Sequence, residues 1–428
     1  MVKKGIKTSF PSQAVSDAEK MSMKHGAKVG AAIEHEWFSN YSGSDNRWSV
    51  YKESFHSLRL YARGEQSVRK YKDELSINGD LSYLNLDWKP VPIIPKFVDI
   101  VVNGMADRSY DIKAYSQDPA AIKERTDYVE NIVSDMQAKG FNDQVAQQFG
   151  IDMYKTDQAK LPETSEELEL HMQLDYKQAI EIAEEEAINS VFDKNKYEYV
   201  SKRINNDLVT IGIGAVKNSF NKSEGIKIEY VDPANLVYSP TESPYFDDIY
   251  YVGEVKDIYI NELKKEFPDL SDEDLEKYRN IGGSQRNTSS ISKKQDDDNS
   301  IKVLYFEYKT YMNEVYKIKN TSTGGKKAIK KDDGFDPPKN EDYEKVNRVI
   351  EVVYEGVKII GTGSEDVLKW ELKKNMIRPK ADTTKAVMSY SICAPRLYQG
   401  RIESLVGRVT GFADMIQLTH LKLQQVLS

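Results

Sequence analysis

A chain of 428 residues, 39% apolar and 30% charged, can fill two or three domains, and none of its apolar runs approaches the ~18 residues of a membrane-crossing helix. A net charge of −8 argues against a protein that grips nucleic acid through phosphate contacts, because counterion release needs a surplus of Lys and Arg. The single cysteine, Cys393, excludes an intrachain disulfide and fits a reducing compartment. Met-Val-Lys-Lys-Gly opens like a signal peptide, but no apolar segment follows, so no secretory leader is expected.

Residues 12–36 are predicted to form a helix, with Val15, Ala18, Met21, Val29 and Ile33 near one stripe. A polar loop at Ser39–Asn46 follows. A strong helix from about Arg47 sets Trp48, Tyr51, Phe55 and Leu58 at three- and four-residue steps, and Gly64 interrupts it. Pro95 suits the first turn of the next helix, whose apolar face reads as Phe97, Val101 and Met105. Residues 120–147 and 163–210 also read as helical. The stretch from Glu163 to Glu186 is crowded with carboxylates, which fits a solvated face or one turned to DNA or a basic partner.

Strand alternation begins near Leu208, with Val209, Ile211 and Ile213, then Ile226, Ile228 and Tyr230. Tyr250–Tyr259 reads as a strand leading into a helix at Ile260–Phe267, which Pro268 stops. Ser271 with Asp274 opens a further helix. Val303–Tyr311, Tyr316–Ile318 and Val349–Ile360 predict a small antiparallel sheet. The tracts 282–300 and 321–345 read as loop by composition, and 370–397 as extended and irregular.

At the C-terminus, Ile402, Val409, Ile416 and Leu423 recur every seven residues, with Leu405, Phe412, Thr419 and Val426 three positions after each. This a/d seam predicts one helix from Gly400 to the end, ~40 Å long and packed lengthwise on other helices. Gly407 and Gly411 each cost ~1 kcal/mol inside a helix, which implies a bend or close backbone approach. Gln417 and Gln424 read as exposed polar positions of this helix. With no stop signal after Leu427, the helix is expected to continue into a longer polypeptide.

Enzyme motifs fail on inspection. Gly212-x-Gly214 has Lys217 where a dinucleotide fingerprint needs its third glycine. Gly324-Gly325-Lys326-Lys327 lacks the Ser/Thr of a phosphate loop. His35-Glu36 lacks the second histidine of a zinc protease, since Ser39 stands there. Five scattered histidines and one cysteine make no obvious tetrahedral metal site, and no cofactor motif is present. The 27 tyrosines tilt the composition slightly toward protein–protein contact.

The order of elements resembles the portal proteins of tailed bacteriophages, of the podovirus-like and crAss-like kind. Tyr61-x-x-Gly64-x-Gln66 after a long helix is similar to the family's opening wing segment, and Pro95–Met105 to the helix that follows it. Val231-Asp232-Pro233-Ala234-Asn235-Leu236 resembles its strand-and-turn segment, and Leu263–Pro268 its short helix before a proline. Tyr398-Gln399-Gly400-Arg401-x-x-Ser404-Leu405 is similar to the approach to the channel-lining helix.

The resemblance implies an α+β portal-like subunit with a helical wing, an antiparallel β clip and a long channel helix. Its parts would be 1–255 (N-terminal helices and wing), 256–281 (stem-like), 282–372 (clip) and 373–428 (return segment and channel helix). Ile402, Leu405, Val409, Phe412, Ile416 and Leu423 would carry ring assembly. The implied function is a dodecameric ring at one capsid vertex through which genomic double-stranded DNA is packaged and ejected without sequence preference. Implied partners are the major capsid protein, terminase and head–tail adaptors, with no enzymatic activity, and assembly in the host cytoplasm. Another virion structural protein, such as a capsid or connector subunit, stays open, as does an enzyme of unknown type.

Overall fold

The computed structural model describes residues 10–38, 47–76, 86–106, 112–116, 118–151, 153–155, 161–174, 176–221, 225–285, 300–320, 326–331, 343–363, 366–379, 381–398 and 400–427. The expected loop at 39–46 lies outside them, as does most of the tracts 282–300 and 321–345. Helices and antiparallel strands are mixed, an α+β arrangement. The chain divides into two compact units, one of residues 1–107 with 199–428 and one of residues 108–198.

The first unit starts with α1 (Asp17–Lys20) and α2 (Met23–Phe38) where one helix over 12–36 was expected. The break has a local cause: Ser16 Oγ accepts from the Glu19 amide, and Ser22 Oγ from the His25 amide, so each hydroxyl begins a separate helix. Val29, Ile33 and Trp37, four residues apart, are buried. They belong to the same core as Phe306, Tyr354 and Trp370. After α2 come α3 (Arg47–Arg63), α4 (Arg69–Leu75) and α5 (Ile94–Ala106). Gly64 ends α3 in the left-handed region at φ 72°, as its position after the long helix suggested.

Glycine lets α2 lie close on the sheet. A Cβ at Gly26 would meet Trp370 Cγ at 2.2 Å and Trp370 Cβ at 2.7 Å. Trp370 cannot swing away easily, because its ring stacks on Tyr354 and its Nε1 donates to the Lys20 carbonyl at 2.8 Å. With a contact this short, Gly26→Ala should cost about 3 kcal/mol by overpacking, more than the ~1 kcal/mol that alanine returns to a helix. Urea unfolding should show a net loss, and unchanged or raised stability would contradict this packing.

In the second unit, α6 (Pro119–Phe149), α7 (Ser165–Leu174) and α8 (Ala179–Lys194) fall in the regions expected to be helical. The carboxylate run is not one uniform face. Glu181 is buried and accepts from the Ser116 amide at 2.9 Å and from Arg125 at 3.0 Å. Glu185 accepts from the Ala114 amide at 3.0 Å and pairs with Lys177. Glu184 and Glu186 are exposed. Two members of the run thus bind their own unit's backbone.

The chain re-enters the first unit through α9 (Tyr197–Thr210). Val209 and Ile211, read as strand residues, straddle the end of this helix instead. Val209 packs from the helix, while Ile211 and Ile213 enter the sheet core from a turn at Gly212, φ 84°. An alternating triplet at a helix end imitates a strand. β1 (Gly214–Asn221) and β2 (Gly225–Val231) form a hairpin, a 3-10 turn at Pro233–Asn235 leads to β3 (Leu236–Tyr238), and β4 (Tyr251–Tyr259) runs into α10 (Ile260–Glu266). α11 (Asp272–Gln285) opens with Ser271 Oγ accepting from the Asp274 amide, and it carries four residues of the expected loop at 282–300.

β5 (Ser300–Asn320) is one unbroken strand across the two stretches expected there. Leu304, Phe306 and Tyr308 join the α2 core, while Ile301 and Val303 pack on the other face with Leu263 of α10 and Tyr278 of α11. β6 (Lys326–Lys331) lies in a tract read as loop, because the edge of β5 from Val315 to Asn320 supplies a hydrogen-bonding ladder that composition does not reveal. β7 (Tyr343–Ile359) and β8 (Lys369–Leu372) complete a sheet in the order β3-β4-β5-β7-β8. β9 (Tyr390–Cys393) pairs with β1, β10 (Leu397–Tyr398) with β11 (Arg401–Ile402), and α12 (Leu405–Leu427) follows.

Candidate functional site

The C-terminal helix begins at Leu405, five residues later than its seam suggested. Gly400 turns at φ 72°, Arg401 and Ile402 pair with Tyr398 and Leu397, and Ser404 caps the helix by accepting from the Gly407 amide at 2.8 Å. Ile402 is therefore a strand residue, partly buried against the sheet core, and not a seam residue of the helix. The signal that would have found this start is Ser404 itself, a cap residue placed before a helical run.

α12 packs on its own chain with one side. Val406, Ala413, Gln417 and Leu421 are buried, and Val406 and Ala413 share a core with Tyr61 of α3, Val209 of α9, and Ile94, Val98 and Val102 of α5. On α5 the packed face is Ile94, Val98 and Val102 with Val101 and Met105 partly buried beside them, while Phe97 is exposed. That helix is apolar nearly all round, so two adjacent stripes satisfy the same period and sequence alone cannot rank them. Gln417 and Gln424 are clamps rather than exposed positions. Gln417 accepts from the Val91 amide at 2.7 Å and donates to the Lys89 carbonyl at 3.2 Å, and Gln424 accepts from the Asp87 amide at 3.1 Å.

The seam residues run along the flank of that packed side. Leu405, Val409, Phe412 and Leu423 are exposed, Phe412 by 61%, and Ile416 is partly buried. Val426 is 83% exposed, and Met415, opposite the packed side, is exposed as well. The glycines differ too. A Cβ on Gly407 would meet Ser404 Oγ at 2.9 Å, whereas one on Gly411 would meet nothing within 4 Å.

Polar contacts hold this helix in its bundle. Asp414 accepts from Tyr61 Oη and Tyr71 Oη, each at 2.7 Å, and pairs with Lys70 at 2.6 Å. Burial alone would raise the Asp414 carboxyl, but hydrogen bonds from Lys70, Tyr61 and Tyr71 outweigh it and hold the pKa below the ordinary value. A depressed folded pKa means stabilisation that is present above the ordinary carboxylate range and lost as pH falls through the folded value. Asp414→Asn should cost about 1–2 kcal/mol at neutral pH, screened by the half-exposed Lys70. Thermal melts should show the gap to wild type narrowing in acid, and a pH-independent gap would contradict the assignment.

A second cluster anchors α3. Arg59 donates two bonds to Asp232, at 2.7 and 3.1 Å, and one to Asp207 at 3.1 Å. Tyr230 Oη also donates to Asp207, and the guanidinium of Arg203 stacks 3.7 Å above the Tyr230 ring. Burial raises the Asp207 carboxyl against the lowering influence of Arg59. Between the sheets, Glu307 accepts from Lys373 at 3.1 Å and from the Ser389 amide at 2.8 Å, and Glu254 accepts from Tyr390 Oη at 3.0 Å. These buried carboxylates each meet donors from another segment, the arrangement of a cross-sheet staple.

At the foot of α12 lies an open cleft of about 1210 Å³, lined by Tyr51, Ser54, Glu242, Asp248, Arg401 and Arg408 among others. Tyr51 Oη donates across it to the Gly400 carbonyl at 2.8 Å, and Arg408 is paired with Glu403 at 2.7 Å. Among the described residues no group of three His, Cys, Asp or Glu side chains is arranged to hold a metal ion, and no helix is long and apolar enough to cross a membrane. No protein-family model matches the chain, and no curated protein is significantly similar to it.

Proposed function

We propose that this chain is a portal-type subunit, assembling into a ring at one capsid vertex and forming the passage for genome packaging and ejection. The observation that carries the reading is the apolar stripe of α12, from Leu405 through Val409, Phe412 and Leu423 to Val426, which the chain's own core leaves to solvent. A free-standing chain gains nothing from such a stripe, whereas a packed neighbour buries it. The order of weak motifs from Tyr61 to Leu405 supports the same reading. In it, the helices before 256 serve as the wing, the β5–β7 hairpin serves as the clip that meets terminase and head–tail adaptors, and α12 belongs to the channel wall. Duplex DNA would pass without being held, in keeping with the net charge of −8.

The test is position in the particle. Virions assembled with an affinity-tagged copy of this chain and labelled with gold should carry label at a single vertex. Label spread over the whole shell would make the chain a capsid subunit and overturn the proposal, and label confined to the tail would do the same.

A further inference from the structure

We infer that the far end of the β5–β6–β7 arm carries a lysine face that binds the phosphate backbone of duplex DNA, without sequence preference and in a salt-dependent manner. The face lies on one chain and does not depend on ring assembly. Register builds it, because successive residues of a strand point to opposite sides and paired residues share a side. On β5, Val315, Lys317 and Lys319 lie on one side. Lys317 stands opposite Ile329 of β6 and Lys345 of β7, Lys319 opposite Lys327, and Val315 opposite Lys331. Five lysines from three strands thus share one face, and the residues paired with 315, 317 and 319 bring no carboxylate to it. Lys319, Lys327 and Lys331 are exposed, Lys317 and Lys345 partly so.

The other side of the same arm mixes both signs. Glu314 accepts from Lys330 at 2.7 Å and stands opposite Arg348 in the register, and Glu344 shares that side. On the lysine face, by contrast, Lys317 with Lys345 and Lys319 with Lys327 are direct cross-strand pairs, with Cβ atoms about 5 Å apart. Like charges so placed cost stability. Composition does not impose them, since the chain holds 68 acidic residues against 60 basic ones. Protection of an outer strand against aggregation accounts for lysines on β6. It does not account for Lys317 and Lys319, which lie on the central strand of the arm with β6 on one side and β7 on the other. A polyanion laid on the face turns the repulsion into attraction.

Lysine chemistry selects the partner. Protein–protein interfaces are depleted in Lys and enriched in Arg and aromatic rings, so a face built on five lysines suits phosphates better than a folded acidic protein. An ammonium is a point charge that cannot read a base edge through two parallel bonds, which fits binding without sequence preference. It carries three N–H donors, so one already engaged within the chain can still take a phosphate oxygen. Each phosphate neutralised releases a counterion, and a duplex, with one charge per ~1.7 Å of axis, returns more per contact than a single strand. The net charge of −8 opposes tight holding, so the expected affinity is that of non-specific binding, Kd roughly 10⁻⁴ to 10⁻⁶ M at physiological salt.

The experiment follows the fluorescence anisotropy of a labelled mixed-sequence duplex titrated with the purified chain over a range of salt. With all five lysines on phosphates, log K should fall against log salt with a slope of about −4.5, so a threefold rise in salt weakens binding on the order of 100-fold. Lys319→Gln together with Lys327→Gln should make the slope shallower by about two. Lys330→Gln, a lysine of the opposite face, should leave it unchanged, with circular dichroism showing each variant folded. An equal effect from Lys330→Gln would assign the binding to overall charge and overturn the inference. A single strand bound as tightly as the duplex would overturn the choice of partner. So would a polyglutamate peptide that binds where the duplex does not, by giving the face to an acidic protein. No duplex binding at low salt would leave the lysines as strand protection alone. Rings without duplex binding would overturn this inference and leave the ring reading standing, whereas binding by a chain that forms no rings would do the reverse.

Discussion

Aspartate at both Val409 and Ile416 is expected to abolish ring assembly while the single chain stays folded. Val409 is exposed and Ile416 only partly buried, so in the isolated chain the new carboxylates reach water at a cost of about 1 kcal/mol or less each in helix propensity. In an assembled ring each would be an unpaired charge inside an apolar contact, with a penalty of several kcal/mol, repeated at every subunit boundary. The opposite sense of the two effects makes the double variant informative. Sedimentation velocity should find a single species near 48.9 kDa, with helix content by circular dichroism unchanged. Assemblies of ordinary size and stability would mean that the stripe is not buried on association.

Arg59→Met should produce the largest loss of stability of any single change considered, about 2–4 kcal/mol. The guanidinium is the shared partner of Asp207 and Asp232, and it joins α3 to α9 and to the turn before β3. Asp207 is buried and, among the described residues, would keep the Tyr230 hydroxyl as its side-chain donor. Because Arg59 and Asp232 each retain some access to water, the figure falls below the full cost of breaking an enclosed pair. Without Arg59 the Asp207 carboxyl would rise further above its ordinary pKa. A raised folded pKa favours the protonated fold, so the deficit should shrink as pH falls through that value. Chemical unfolding at neutral and acidic pH would show both features. Arg59→Lys should recover only part of the loss, since an ammonium cannot make the two-bonded contact with Asp232.

Local chemistry was legible where a residue acts on its immediate neighbours. Gly64 ended a helix, Ser271 with Asp274 began one, and β4 passed into α10 where the period changed from two to nearly four. Apolar period was less decisive where more than one face satisfied it. On α5 it picked out Val101 and Met105, which pack partly buried on the core of Ile94, Val98 and Val102, together with the exposed Phe97, and at the end of α9 it took a helix terminus for a strand. Polar partnership across the chain left no trace in spacing. Nothing near Arg59 announces Asp207 or Asp232, and nothing near Gln417 announces the backbone at Lys89 and Val91. The last helix was legible from Leu405 onward, but the first member of its seven-residue repeat, Ile402, belongs to a strand pair that Gly400 and Ser404 bracket.

Negative-stain images of the purified, unmodified chain put the central claim to its most direct test. Closed rings with a central hole and one rotational symmetry are expected among the well-resolved classes. Compact particles of one or two chains with no hole, at concentrations where the apolar stripe should be covered, would contradict it.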